Sequence, residues 1–367
     1  MKGADILIVG TGSLATGTVN ALSQLSMGKI RVGIIGRSKG KASQLAQIAN
    51  ARAAIFKSPT RFEAPEISQF KALAFSRIVR SLKPKVILQA ASLQSPWEAG
   101  QRENGWTKLV ATAGFGVTLP LQIALAAELS KGAGDSEAAI VNASYPDCVN
   151  VILDRVGLRA TCGVGNAAIV EGFCRYRAKM SSDVRVIAHH GQLGAWLKGK
   201  RTPNLPRIWV NGREVESPRW HPHLGSVRLG SVHDELNHVT AATAASIMLC
   251  LLDGGSLRCS IPGVGGLPGG YPYLLKGGKF RLQLPRGITL EDAIQHNRRG
   301  EHLDGIDLES GVRFGARANR ALKAVGFEFA QGFDPAEWST VCAKMILLRD
   351  RLRHMKVEEP IRSISQL

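Results

Sequence analysis

The first forty residues alternate between apolar and mixed segments in a way that predicts strands and helices in turn. Residues 5–9 and 30–35 are apolar runs rich in β-branched side chains. Continuous runs of this kind are typical of parallel strands that are buried on both faces. Residues 18–25 lie between them and have the pattern of a helix. The start of the chain therefore predicts a strand, a helix and a second strand, in that order.

A glycine-rich turn joins the first predicted strand to the first helix. Its residues are Gly10, Thr11, Gly12, Ser13, Leu14 and Ala15. In a turn of this spacing the first glycine permits a tight bend, the second lets the backbone approach a pyrophosphate, and the alanine allows close helix packing. The N-terminus of the helix presents N–H groups and the positive end of its dipole to phosphates. The stretch predicts a Rossmann-type α/β fold, a doubly wound parallel sheet, with residues 10–14 at a dinucleotide; an ordinary glycine turn is the other interpretation.

The end of the second strand indicates which dinucleotide is preferred. An NAD site usually carries an acidic residue there, which binds the ribose hydroxyls. This chain has Arg37, Ser38 and Lys39 instead, with no acid nearby. Arginine, serine and lysine can all donate hydrogen bonds to a 2′-phosphate. The segment favours NADP over NAD, although a solvated basic turn has the same composition.

The alternation of apolar and mixed segments continues along the chain and predicts the rest of the first domain. We expect a short strand at residues 53–56, mostly helix at 62–82, and strands at 86–89 and 138–141. The strand at 86–89 ends in the small residues Ala90, Ala91 and Ser92, which suit a strand tip beside a nicotinamide ribose. Residues 93–105 are expected to form a loop over the site.

Charge and composition limit the partners. The net charge of +18 raises nucleic acid as a possibility, but the basic residues are spread along the chain without a nucleic-acid-binding motif. We therefore expect an anionic cofactor and a small, anionic substrate. No apolar run reaches 18 residues, and the chain begins almost directly with a strand, so we expect no membrane span and no signal peptide. Six scattered cysteines without a CxxC pair fit a reduced, cytoplasmic protein.

Two later segments resemble the lactate/malate dehydrogenase superfamily, which also includes NAD-dependent, metal-dependent glycosidases. Residues 140–147, with Asn142 and Pro146, resemble its strand and Asn-Pro turn, except that Tyr145 replaces the usual asparagine. Residues 184–191 resemble the strand that presents the catalytic histidine. The resemblance implies that Asn142 contacts the nicotinamide ribose and substrate, and that His190 is the catalytic acid and base. We expect both to end strands of one sheet and to face one cleft.

The chain departs from this family where the dehydrogenases carry an Asp that orients the histidine and an Arg that binds the substrate. Ile169 and Gly172 stand at those places. Glu171 is an alternative residue to orient His190, and Arg175 or Arg177 is an alternative cation to bind an anion. The glycosidase branch uses a Cys and a His as metal ligands. Cys162 and His190 match them in type and order, but there is no clear third ligand, so a metal stays an open question.

The second part of the chain is expected to complete the substrate cleft. We divide the chain into an NADP-binding domain, residues 1–154, and an α+β substrate domain, residues 155–367. Residues 335–357 have the apolar stripe of a long helix, which suits either the core or a dimer interface. The stripe and the family resemblance together predict a homodimer.

The function predicted from these residues is hydride transfer between NADP(H) and a small carbonyl, alcohol or imine substrate. An imidazole titrates near neutral pH, so His190 suits a general acid and base. Three alternatives remain open at this stage. They are a redox-assisted lyase or hydrolase like the glycosidases, an opine-type dehydrogenase, and a non-catalytic NADP sensor.

Overall fold

The computed structural model describes residues 3–26, 28–96, 98, 103–179, 182–222 and 229–355. Part of the predicted loop at 93–105, namely residue 97 and residues 99–102, lies outside this set. The C-terminal residues 356–367 lie outside it as well.

A six-stranded parallel sheet forms the first layer of the fold. Its strands are β1 (Ile6–Val9), β2 (Arg31–Ile35), β3 (Arg61–Glu63), β4 (Val86–Gln89), β5 (Ala139–Asn142) and β6 (Cys162–Gly163). The helices in this part are α1 (Ser13–Leu25), α2 (Lys39–Ile55), α3 (Ala72–Leu82), α4 (Gly105–Ala113), α5 (Leu119–Ala133) and α6 (Pro146–Arg155). The strand order is β3-β2-β1-β4-β5-β6 and every neighbouring pair is parallel. This order is that of a Rossmann-type sheet, so the predicted fold class is confirmed.

The third strand of the sheet is not where the sequence predicted it. Residues 53–56 were expected to form a strand, but they lie at the end of helix α2, and the strand is Arg61–Glu63. The reason is the spacing of buried alanines along α2, which are Ala42, Ala46, Ala49 and Ala53. Steps of three and four residues keep one helical face against the sheet. Ala53 completes this stripe, whereas Ile55 and Phe56 are exposed at the end of the helix. The region predicted as mostly helical, residues 62–82, begins with the strand instead.

The remaining chain adds helices and small antiparallel sheets. The helices are α7 (Asn166–Arg177), α8 (His190–Leu197), α9 (Leu229–Asp253), α10 (Leu290–Leu303), α11 (Ala316–Ala324) and α12 (Trp338–Arg353). The strands are β7 (Val184–Ile187), β8 (Arg207–Val210), β9 (Arg213–Val215), β10 (Ser256–Pro262), β11 (Gly270–Lys276), β12 (Lys279–Leu282), β13 (Ile306–Asp307), β14 (Val312–Phe314) and β15 (Gly332–Phe333). They form the sheets β7-β8-β9, β10-β11-β12 and β13-β14-β15. The predicted division at residue 154 stays a prediction, and β6 completes the parallel sheet after it.

Helix α9 joins the two parts of the fold. Its segment Glu235–Asp253 has the length and mean hydropathy of a membrane span. Its inner face lies in the protein core: Ala244, Ala245 and Met248 are fully buried. A Cβ added at Gly17 of α1 would lie 2.9 Å from the Cβ of Ala241, so α1 and α9 are in close contact there. Packing against α1 and the sheets therefore accounts for the apolar residues of this face.

The apolar stripe of α12 belongs to the core. Its residues Trp338, Val341, Cys342, Met345, Leu348 and Leu352 are all buried in one cluster with side chains of α4 and α5. A face that is already covered within the chain cannot also form an interface between copies. The apolar stripe therefore does not support the predicted homodimer, and that prediction rests on the family resemblance alone.

Candidate active site

The glycine turn after β1 has the shape that a pyrophosphate requires. Gly10 has φ +130°, and a Cβ there would lie only 2.8 Å from the carbonyl oxygen of Ala90. Gly12 is the N-cap of α1, and a Cβ there would have no described atom within 4 Å. Within the described structure no side chain caps this helix end. The turn is therefore tightly packed at Gly10 and leaves space at Gly12. This space suits a phosphate group bound by the backbone N–H groups of Ser13 and Leu14.

The end of β4 lies against this turn. Ala90 donates its N–H to the carbonyl oxygen of Val9 at 2.9 Å. The side chain of Gln89 holds the next residue: its Nε2 donates to the Ala91 carbonyl at 2.8 Å and its Oε1 accepts the Ala91 N–H at 2.7 Å. Ser92 donates its hydroxyl to the carbonyl oxygen of Gln94 at 2.6 Å. The small residues predicted for the cofactor are thus at the sheet edge that carries Gly10.

The three basic and polar residues after β2 lie at the same edge. Arg37 is exposed, and Ser38 is the N-cap of α2, where its Oγ accepts the N–H of Lys41. Lys39 Nζ is 2.7 Å from Oε2 of Glu66, with about two thirds of each side chain exposed (65 % and 68 %). Exposed ion pairs of this kind contribute about 0–1 kcal/mol. This ion pair therefore holds the Lys39 side chain only weakly.

The sequence predicted that His190 ends a strand, and this prediction is wrong. Strand β7 ends at Ile187 and belongs to a separate antiparallel sheet, so it does not share a sheet with Asn142. His190 is instead the first residue of helix α8, with His189 as its N-cap. The backbone N–H of His190 donates to Oδ1 of Asp147 at 3.2 Å. The short segment between strand and helix is what turns the histidine toward the parallel sheet.

The imidazole of His190 is paired with Asp304. Nδ1 lies 2.7 Å from Oδ2 and 3.0 Å from Oδ1 of this carboxylate. Asp304 is the C-cap of α10 and is buried, while the His190 side chain is 28 % exposed. Sequence reasoning missed Asp304 and considered Glu171 instead. The only local signal was an Asp-Gly pair at a helix end, which indicates a turn rather than a partner for a histidine 114 positions earlier.

Charge around the pair determines its protonation. Burial lowers the pKa of His190, but the negative charge of Asp304, its hydrogen bond and the charge of Asp147 outweigh burial and raise this pKa above its usual value. Burial raises the pKa of Asp304, but the charge and hydrogen bond of His190 and the hydrogen bond from the Tyr145 hydroxyl outweigh burial, so this pKa is lowered. The pair therefore favours an imidazolium beside a carboxylate.

Tyr145, the residue that departs from the family pattern, completes this cluster. It follows β5 by three residues and has the left-handed backbone conformation, with φ +44°. Its hydroxyl donates to Oδ2 of Asp304 at 2.8 Å. Burial and the charge of Asp304 raise the pKa of Tyr145 well above its usual value, so it remains a donor. Phe115 stacks on the His190 ring with centroids 4.6 Å apart, and the Tyr145 ring meets it edge-on at 5.1 Å.

Asn142 makes hydrogen bonds within the protein at the end of β5. It is fully buried, its Nδ2 donates to Asn150 Oδ1 at 2.8 Å and to the Ser144 carbonyl, and its Oδ1 accepts the Ser144 N–H at 2.9 Å. Both amide hydrogens and the carbonyl are used inside the β5–α6 turn. Asn142 therefore supports the turn that carries Tyr145, and its contact with cofactor and substrate stays a prediction.

The other residues considered for the site lie elsewhere. Glu171 binds Arg175 at 2.6 Å and accepts the backbone N–H of Ser260, so it does not orient His190. Arg177 donates to the backbone carbonyl of Arg219. Burial raises the pKa of the Cys162 thiol to about 12. Among the residues that the structure describes, no group of three or more His, Cys, Asp or Glu side chains is arranged to hold a metal.

His189 caps helix α8 and is fully buried. Its Nδ1 accepts the backbone N–H of Gly191 at 3.2 Å, which leaves Nε2 to carry the hydrogen that faces Sγ of Cys148 at 3.4 Å. Burial lowers the pKa of His189. A neutral, buried imidazole that caps α8 fixes the start of the helix on which His190 lies.

Comparison with known proteins supports the fold at low sequence identity. No protein-family model matches the chain, and no curated protein sequence matches it. Among solved structures, the Cryptosporidium parvum malate dehydrogenase has a TM-score of 0.54 at 13 % identity, covering 82 % of this chain and 98 % of its own. The lactate dehydrogenase of the same organism, solved with lactic acid and β-nicotinamide adenine dinucleotide, has a TM-score of 0.54 at 13 % identity, covering 83 % and 98 %.

A glycosidase shares the fold as well. The 6-phospho-beta glucosidase from Thermotoga maritima has a TM-score of 0.54 at 10 % identity, covering 96 % of this chain and 100 % of its own. The chain therefore has the fold shared by these dehydrogenases and this glycosidase, and the resemblance noted in its sequence is confirmed at the level of the fold.

Proposed function

We propose that the protein is an NADP(H)-dependent oxidoreductase that transfers a hydride to or from a small, anionic carbonyl, alcohol or imine substrate. The observation that carries the proposal is the position of the His190–Asp304 pair. The His190 ring contacts Tyr145, which follows the carboxyl end of β5. The glycine turn follows the carboxyl end of β1 in the same parallel sheet. Ligands of open α/β sheets bind outside this edge.

His190 is suited to hold and move the proton in this reaction. Asp304 occupies Nδ1, so Nε2 is the nitrogen available to a substrate oxygen or nitrogen. The carboxylate stabilises the imidazolium, and Phe115 and Tyr145 limit the rotation of the ring. A bound nicotinamide dinucleotide would supply or accept the hydride. The imidazolium would also attract an anionic substrate, in agreement with the net charge of +18.

The preference for NADP is part of the same proposal. Arg37, Ser38 and Lys39 follow β2, where a 2′-phosphate would lie, and Glu66 forms an exposed ion pair with Lys39. A phosphate carries more charge than the Glu66 carboxylate and accepts several hydrogen bonds.

The glycosidase-like alternative is supported less well. It would use Cys162 as a thiolate ligand together with His190. The Cys162 thiol is fully buried with a raised pKa, and Nδ1 of His190 is bound to Asp304. The chemistry of these donors favours proton transfer over metal binding.

The experiment that tests the proposal is an assay of the purified protein with NADPH and with NADP⁺, against panels of 2-oxo acids, hydroxy acids and imines. We expect one substrate class to change the absorbance of the reduced nicotinamide. If both forms of the cofactor bind and no panel member is turned over, the sensor alternative replaces this proposal. If NADPH does not bind, both are wrong.

A further inference from the structure

One cavity of the protein shares no lining residue with the His190 cluster. It has a volume of about 200 Å³ and is lined by residues of helix α6, the loop at 266–268 and helix α10, together with Leu308. Val151, Leu267, Ile294 and Leu308 form apolar walls. The cavity is large enough for several water molecules or one small organic molecule.

A buried carboxylate in this cavity has an unused oxygen. The side chain of Glu301 is on α10, and the residue is 1 % exposed. Its Oε2 accepts the backbone N–H of Leu308 at 3.1 Å, whereas its Oε1 has no hydrogen-bond partner in the described structure. A buried polar atom without a partner is unfavourable and rare in folded proteins. A donor bound in the cavity would give this oxygen the partner that the described structure lacks.

Both signs of charge line the same space. Asp154 of α6 supplies a second carboxylate, which lies against Gly266. Arg155 donates to the backbone carbonyls of Glu309 and Gly311, each at 3.3 Å. These bonds hold the guanidinium in place and leave some of its five N–H donors unused.

The second guanidinium of the cavity is held from the same side. Arg298 forms an ion pair with the carboxylate of Glu309, and its side chain is 25 % exposed. A guanidinium can bind a further carboxylate oxygen with its remaining donors. The two arginines, both anchored at residue 309, therefore form the cationic side of the cavity.

We propose that this cavity binds a small zwitterion with an aliphatic side chain, an α-amino acid of about the size of valine. The ammonium group binds Glu301 and Asp154, the carboxylate binds Arg155 and Arg298, and the aliphatic group lies on the apolar walls. A simple cation would leave the two guanidinium groups opposed to it, and a simple anion would face two carboxylates. A molecule with both charges has a partner on each side of the lining. This site is separate from the proposed hydride transfer and does not depend on it.

The test is isothermal titration calorimetry of the full chain at pH 8 with three matched probes. L-Valine carries both charges, isobutylamine lacks its carboxylate, and isovalerate lacks its amine. We expect saturable binding of L-valine, and binding of either single-charge probe that is at least about tenfold weaker, because each loses a set of charge-assisted hydrogen bonds. Absence of saturable L-valine binding, or equal binding of isobutylamine, would overturn the proposal.

Two substitutions locate the binding. Glu301→Gln keeps the size of the side chain and removes its charge, so L-valine should bind at least about tenfold more weakly. The matched control is Glu291→Gln, an exposed glutamate at the start of the same helix, which should leave the affinity unchanged. Unchanged affinity in Glu301→Gln would mean that L-valine binds elsewhere. None of these measurements requires turnover, so failure here leaves the proposed hydride transfer untouched.

Discussion

Nδ1 of His190 lies 2.7 Å from Oδ2 of Asp304, although 114 positions separate the two residues in the chain. The same carboxylate oxygen accepts the hydroxyl of Tyr145 at 2.8 Å. A histidine that is bound at one nitrogen has a defined tautomer and a defined orientation. Asp304 therefore has the orienting role for which the sequence had offered only Glu171 of helix α7.

The first prediction concerns the charge of this pair. Asp304 is a principal cause of the raised pKa of His190, so Asp304→Asn should lower that pKa. An NMR titration of the His190 ring measures it. The control is Asp307→Asn. Asp307 lies three residues after Asp304 and is an exposed partner of His302, so its substitution should leave the pKa of His190 unchanged. An unchanged or higher pKa in Asp304→Asn would contradict the assigned pair.

The second prediction concerns catalysis. His190→Gln keeps a hydrogen-bonding side chain but cannot move a proton. We expect kcat to fall by about 10²–10⁴, the range for loss of a general acid or base, with little change in NADPH affinity. Steady-state kinetics and a fluorescence titration measure the two quantities. Turnover within a factor of about three of the unmodified protein would show that His190 is not the acid and base.

A third prediction concerns the hydroxyl of Tyr145. Tyr145→Phe keeps the ring against His190 and Phe115 but removes the hydrogen bond to the buried carboxylate of Asp304. We expect the free energy of unfolding to fall by about 1.5–3 kcal/mol, the usual contribution of a hydrogen bond to a charged group. Urea denaturation measures this. Tyr176→Phe, at a side chain that is 90 % exposed, serves as the control and should change stability by less than about 0.5 kcal/mol.

The fourth prediction concerns the choice of cofactor. We expect tighter binding of NADPH than of NADH, and we expect the double substitution Arg37→Ala and Lys39→Ala to remove most of the difference. Each lost charge-assisted contact should contribute about 1.5–3 kcal/mol. Fluorescence titrations with both dinucleotides measure the preference, and Arg80→Ala, at an exposed arginine of α3, is the control. Equal affinities in the unmodified protein would be evidence against an NADP site.

The fifth prediction concerns Glu301 and pH. Burial raises its pKa from 4.5 to about 7 in the folded protein, so the folded state binds the proton more tightly than the unfolded state. The stabilisation from this proton is complete below pH 4.5 and is lost as the pH rises to 7. The glutamine in Glu301→Gln does not titrate, so the variant lacks this pH-dependent contribution to stability. Relative to the unmodified protein, its free energy of unfolding should rise over this interval by roughly 3 kcal/mol, taking 1.36 kcal/mol per pKa unit.

Urea denaturation at pH 5 and pH 8, in the absence of added ligand, measures this difference. Glu291→Gln, whose side chain is exposed, should show no comparable dependence on pH. A difference between Glu301→Gln and the unmodified protein that does not change with pH would contradict the raised pKa.

The sequence alone determined the part of the fold that depends on neighbours along the chain. The turn from Gly10 to Ala15 and the apolar strands around it were recognisable, because each follows from backbone geometry and periodicity over a few residues. The same local rules failed at residues 53–56. Four apolar residues fit either a strand or the end of a helix, and the alanine spacing over the preceding eleven residues decided between them.

Only the tertiary structure decided which distant side chains meet. It placed β7 in its own antiparallel sheet, buried the apolar stripe of α12, and brought the end of α10 to His190. Glu171 and Asp304 are both carboxylates that a sequence shows equally well. The direction in which α10 crosses the molecule selects Asp304, and that direction depends on packing against many residues at once. Periodicity along the chain contains no information about it, because a hydrogen bond depends on distance in space and not on separation in sequence.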